Sequence, residues 1–156
     1  MKKVVLLFLF LSFSVLSQEI EYENAVVFLK NNQIEEATSS IQTAIRKVKT
    51  NKSKYYLLYA NILRFQNIAD SSLYYITKAE NDYQSRQIED SLLYTYTLKT
   101  EFYRYFAEKK KAEVSLLNIE KFNFQKIKNK DIVAYALNRK MAIFNGYHDG
   151  SKDTLE

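Results

Sequence analysis

The chain has no cysteine, no proline and no tryptophan, and only two glycines and one histidine among 156 residues. Without cysteine there is no disulfide, thiolate zinc site, cysteine nucleophile or lipid-modified cysteine. A single histidine excludes a multi-histidine metal centre. The first glycine is Gly146, so a glycine-rich phosphate loop is excluded as well. Sheet folds need turn residues at regular intervals, and the shortage of glycine and proline argues against an all-β chain. What remains is apolar and aromatic: 47% hydrophobic, 15% aromatic and 26% charged. That balance belongs to a folded chain rather than a disordered tail. The length suits one domain.

Residues 1–17 read as an export signal. Lys2 and Lys3 give a positive start, and Val4 to Leu16 is apolar except for Ser12 and Ser14. The run is shorter than the ~20 residues of a membrane-spanning helix and fits the apolar stretch of a signal peptide. Val15 and Ser17 satisfy the small-residue rule, which predicts cleavage between Ser17 and Gln18. The expected product is periplasmic or secreted, touching a membrane only through an uncleaved signal segment. Losing Lys2 and Lys3 lowers the net charge of +5 to a weak excess that demands no polyanionic partner. All 13 tyrosines lie beyond the cleavage point. Each aromatic ring buries about 150–250 Å², so a core without disulfides is attainable.

Apolar residues beyond residue 17 recur at helical spacing. Seven helices are expected, over roughly Glu19–Lys30, Ile34–Lys49, Ser53–Phe65, Ser71–Tyr83, Ile88–Ala107, Lys110–Ile127 and Ile132–Asn145. Asn31-Asn32 is a turn signal. Asp70 and Asp131 are the expected caps of the fourth and seventh helices, and Gly146 the expected stop of the last. The resulting organisation is a signal peptide at 1–17, a helical domain at 18–145 and a polar, flexible tail at 146–156.

A repeat runs through these helices. With Ala25, Ala60 and Thr100 in register, Phe28, Leu63 and Tyr103 follow three residues later. Ala37, Ser72 and Ala112 come next, then Ile41, Ile76 and Leu116, then Ala44, Ala79 and Ile119. Small residues let two helix backbones approach while large ones fill the groove beside them. This order resembles the tetratricopeptide repeat, whose period is about 34 residues. The middle copy matches best, with Tyr56, Tyr59, Ala60 and Leu63 on the first-helix positions and Ser72, Ile76 and Ala79 on the second. The likeness covers roughly Glu19 to Ile127 and lacks the family's usual glycine, tryptophan and closing proline. It implies an all-α antiparallel helix-pair solenoid with a right-handed superhelix.

The seventh helix would open a fourth pair, and Ala134, Ala136, Ala142, Ile143 and Phe144 give it an apolar surface. It can act as a cap, expose a stripe to another chain, or mark a fragment of something longer. Exported chains with such repeats also resemble the sensory regions of membrane-bound histidine kinases and helix-turn-helix regulators.

Chemistry is sparse. His148, with Asp149 and Asp153, sits in a polar terminal segment where an ordered ligand set lacks support. Glu35-Glu36 and Glu89-Asp90 are adjacent on their helices and cannot converge on one bond. A small exported hydrolase using carboxylates would need acid groups about 5–9.5 Å apart in a cleft. Lys109-Lys110-Lys111 and Lys126, Lys128 and Lys130 form basic clusters, but Glu108, Glu113 and Glu120 interrupt the charge. These read as solvated helix ends rather than a nucleic-acid stripe.

The tetratricopeptide resemblance implies a binding surface built from the first helices. Its inward positions fall on Tyr22, Val26 and Leu29, then Lys54, Leu57, Asn61 and Arg64, then Tyr94, Thr97, Glu101 and Arg104. Asn61 suits a peptide backbone, and Arg64 and Arg104 suit a carboxylate. The expectation is a non-catalytic protein–protein interaction module that takes a protein or peptide partner and no cofactor.

Overall fold

A computed structural model describes the backbone of residues 17–149 and the side chains of residues 17–143. Nearly all of the segment expected to be an export signal, together with His148 and Asp153, lies outside the described side chains. The described residues hold seven helices and no strand: α1 over 17–30, α2 Ile34–Lys47, α3 Ser53–Phe65, α4 Ala69–Ser85, α5 Glu89–Tyr105, α6 Lys109–Glu120 and α7 Lys130–Asp149. None of them is long and apolar enough to cross a membrane. The chain divides into two compact units, one through Ala79 and one from Glu80 onward.

Four of the six connections share one geometry. Asn32, Asn67, Gln87 and Ala107 have φ of 59°, 63°, 54° and 56°. The amide after each bonds back to a carbonyl five residues earlier: Gln33 to Phe28 at 2.8 Å, Ile68 to Leu63 at 2.9 Å, Ile88 to Tyr83 at 3.0 Å and Glu108 to Tyr103 at 2.8 Å. The left-handed residue itself bonds to the carbonyl three before it. This is the Schellman closure, which satisfies carbonyls that a helix end leaves unpaired. It explains how sharp reversals form without glycine. The next helix follows at once, because the carbonyls of Gln33, Ile68, Ile88 and Glu108 accept its first amide bond.

The first unit packs Ala25, Ala37, Ile41, Ala44, Val48, Tyr55 and Ile62 into one buried cluster. The small residues of the repeat register are buried, and Ser72 Oγ donates a 2.7 Å hydrogen bond to the Ala60 carbonyl. In the second unit the cluster is Leu93, Ile119, Ile127 and Ala136, with Tyr96, Leu116, Phe122, Phe124, Ile132 and Val133 against it. There Thr100 Oγ1 donates to Ser115 Oγ at 2.9 Å, joining α5 to α6.

Several boundaries differ from the sequence expectation. The sixth helix stops at Glu120 instead of reaching Ile127, because Phe122, Phe124 and Ile127 turn into the core as a loop. Asn123 Oδ1 accepts the Gln125 amide in an Asx turn. Lys130 Nζ donates to the carbonyls of Phe124, Gln125 and Ile127, and the Asp90 carboxylate receives the Lys128 and Asn129 amides. Asn129, not Asp131, caps the last helix, accepting the Asp131 and Ile132 amides at 3.0 and 3.3 Å. Asp70 lies inside the first turn of α4 instead of at its cap. The last helix also continues past Gly146 to Asp149.

Candidate functional site

In the first unit, α1 and α3 lie side by side through the residues expected to face a partner. Lys54 Nζ lies 2.7 and 2.8 Å from the Glu19 carboxylate oxygens. The same ammonium stands 4.7 Å from the Tyr22 ring centre and 5.0 Å from that of Tyr55. The two rings meet edge to face at 5.3 Å. The Tyr55 hydroxyl donates to Glu19 at 3.2 Å. The hydrogen bond from Lys54 holds the Glu19 carboxyl below its ordinary value. Burial, reinforced by the Glu19 charge, pushes the Tyr55 phenol up to about 12. Tyr22 and Lys54 are therefore together, and both are already engaged.

Further along α3, Arg64 donates to Asn61 Oδ1 from Nε at 3.2 Å and from Nη2 at 2.8 Å. Its guanidinium also stacks 4.7 Å from the Phe65 ring centre. The Asn61 carbonyl oxygen is thus turned to the arginine, leaving its amide N–H as the group it can present. Leu57, expected to line the groove, is 4% exposed and belongs to the interior.

A tyrosine cluster on α3 and α4 escaped the sequence reading. Tyr75 lies between Tyr56, Tyr59 and Tyr74 at 5.4, 4.9 and 5.2 Å. Lys78 Nζ stands over Tyr74 and Tyr56 at 4.8 and 5.4 Å. Gln42 fixes the Tyr59 hydroxyl at 2.7 Å. The i, i+3 and i, i+4 spacing of Tyr56, Tyr59 and of Tyr74, Lys78 is the signal that could have revealed it.

In the second unit, α5 and α7 adjoin in the same way. The Tyr135 hydroxyl donates to Glu101 Oε2, and Arg139 Nε lies 2.8 Å from Glu101 Oε1. The arginine contact is an ion pair without a well-formed hydrogen bond. Burial, with the Glu101 charge, pushes the Tyr135 phenol well above its ordinary range. Tyr94 meets Tyr135 at 5.9 Å. Glu101 is thus a buried anchor between α5 and α7, and Arg104 is an exposed cation one turn on. Thr97 is fully buried and bonds its own helix at the Leu93 carbonyl.

Two clefts open in the second unit. The larger, about 590 Å³, lies among the end of α4, the start of α5, the end of α6 and the loop after it, with Tyr96 and Phe122 in its wall. The smaller, about 270 Å³, runs along α5 and α6 past Lys99, Tyr103, Lys110 and Val114. Asn118 borders both. Lys99 pairs with Glu80 at 2.5 Å. Burial and the adjoining Glu80 carboxylate raise the Tyr96 phenol. Among the described residues no group of three or more His, Cys, Asp or Glu is placed to hold a metal.

These features define, among the described residues, an all-α protein in which four of the helix connections are tight left-handed turns. No protein-family model, curated protein or solved structure matches the chain.

Proposed function

We propose that this is an exported, non-catalytic protein–protein interaction module of tetratricopeptide-like design, which takes a peptide or protein segment on the faces that its odd-numbered helices form within each unit. The supporting observation is the lateral pairing of α1 with α3 and of α5 with α7, each through one expected face residue: Lys54 with Glu19, and Glu101 with Tyr135 and Arg139. Solenoids of helix pairs use adjoining first helices as their binding surface. In this reading Tyr22, Lys54 and Glu101 hold the surface in shape. Tyr94 supplies contact area, and Asn61, Arg64 and Arg104 supply polar recognition. A guanidinium binds a carboxylate in two-point geometry, so the partner carries an acidic or C-terminal carboxylate group.

The test is affinity capture from the organism's own cell envelope with the processed chain beginning at Gln18, alongside Arg64→Ala and Arg104→Ala. A partner lost on either substitution, with unchanged helicity, supports the reading. Equal capture by all three proteins removes both arginines from the surface. Mass spectrometry of the purified product reports whether it begins at Gln18.

A further inference from the structure

The larger cleft of the second unit gathers polar groups that the packing of the fold leaves unused. Its volume of about 590 Å³ falls within the ~300–1,000 Å³ of small-ligand sites. Such sites are lined mainly by hydrophobic side chains, whereas here four amides line one cavity: Gln84, Gln87, Asn118 and Asn123. Asn118 Oδ1 is held by Lys121 at 2.8 Å and Asn123 Oδ1 by the Gln125 amide at 3.1 Å, which fixes both side chains. The Gln84 and Gln87 side chains make no hydrogen bond among the described residues. An amide offers donors and an acceptor in one plane, the arrangement that neighbouring hydroxyls of a sugar ring engage.

The apolar part of the wall is aromatic. Tyr96 and Phe122 meet at 6.0 Å with their planes 61° apart, so two ring orientations border one space. Aromatic faces carry the negative side of a quadrupole, and the C–H groups on a sugar face are weakly positive. The charge leans positive by one: Lys121 and Lys126 stand against Glu89. Lys126 is exposed and has no carboxylate partner among the described residues. An acidic peptide would satisfy the same lysine. The four amides, however, match a ligand that carries hydroxyls on every ring, which a peptide chain does not.

We propose that this cleft binds a short acidic oligosaccharide, with sugar rings against Tyr96 and Phe122, hydroxyls on Gln84 and Gln87, and a uronic carboxylate on Lys126. The cleft shares α5 with the odd-helix face but none of the side chains assigned to that face, so either can fail alone.

Trigalacturonate titrated into the purified chain, followed by calorimetry and amide chemical shifts, tests it. Saturable binding is expected, with shifts at Gln84, Gln87 and Lys126, and binding weakens as salt screens the lysine. Lys126→Gln and Gln84→Ala each weaken it by about tenfold with an unchanged melting temperature. Uncharged maltotriose binds at least about tenfold more weakly. Absence of saturation, equal binding of maltotriose, or variants that bind like the parent would overturn the proposal. So would displacement of trigalacturonate from the cleft by hexaglutamate, which would make this a peptide site.

Discussion

Ser72 Oγ donates a 2.7 Å hydrogen bond to the backbone carbonyl of Ala60, and both residues are buried where α3 and α4 meet. A contact this close requires a small side chain at position 60, since any larger group would stand between the helices. Ala60→Leu is therefore expected to overpack the contact and cost about 1–3 kcal/mol. Ser72→Ala removes one hydrogen bond whose acceptor keeps its place in the helix, and costs about 1 kcal/mol. Urea denaturation of the two variants checks the order. An Ala60→Leu protein as stable as the parent would mean that α3 and α4 are not in this register.

The left-handed turns provide a test in the opposite direction. Gln87 and Ala107 occupy positive φ with side chains that do not favour it, at a cost of roughly 1 kcal/mol each. Glycine removes that cost and returns part of it as unfolded-chain entropy. Ala107→Gly is thus expected to stabilise the protein by about 0.5–1 kcal/mol. Asn67→Gly should change stability by much less, because asparagine tolerates this conformation. Thermal melts of both variants give the comparison, and a destabilised Ala107→Gly would contradict the turn geometry.

Helix periodicity was legible because the apolar spacing and the small residues of the register, Ala25, Ala60 and Ala37 among them, directly encode a buried stripe. The turns were legible only at Asn31-Asn32. Phe106-Ala107 contains no turn residue, and its conformation comes from the backbone bonds that close the preceding helix. The end of α6 differs from the sequence expectation for a related reason. Phe122, Phe124 and Ile127 carry an apolar pattern consistent with a helix, but the loop conformation is fixed by Lys130 just after it and by Asp90, which lies 38 residues before Lys128. Among the expected face residues, Tyr22 with Lys54 and Asn61 with Arg64 proved to be neighbours. The partners of Glu101 on α7 were invisible, since a residue pair 34 positions apart leaves no local periodic trace.

Alkaline pH should loosen the fold through two phenols. Tyr55 is raised from 10.0 to about 12, and Tyr135 is raised too, each by burial first and a neighbouring carboxylate next. A raised folded-state value favours the protonated form in the native protein. The stabilisation is complete below the unfolded value near 10 and is lost as pH rises through about 12. Tyrosinate absorbance should lag behind that of the denatured chain over this interval. Tyr55→Phe should shrink the alkaline loss of stability. An unchanged profile would show that Tyr55 ionises as freely as an exposed tyrosine.

Asp90 tests the loop that borders the proposed sugar cleft. Its two carboxylate oxygens take the amides of Lys128 at 3.2 Å and Asn129 at 2.9 Å, pinning the loop just after the buried Ile127. Asp90→Ala frees both amides and also removes a favourable charge from the first turn of α5. Glu89→Ala removes only such a charge, since Glu89 receives no loop amide, and so separates the two effects. The expected loss for Asp90→Ala is about 1 kcal/mol beyond that of Glu89→Ala, below the usual range for bonds to a charged acceptor because the groups are exposed. Amide exchange at Lys128 and Asn129 should accelerate in Asp90→Ala and stay slow in Glu89→Ala. Asp90→Asn, which keeps one acceptor oxygen, should restore part of the protection. Equal exchange in Asp90→Ala and Glu89→Ala would mean that helix-end electrostatics, not the two amide bonds, set the conformation of this loop.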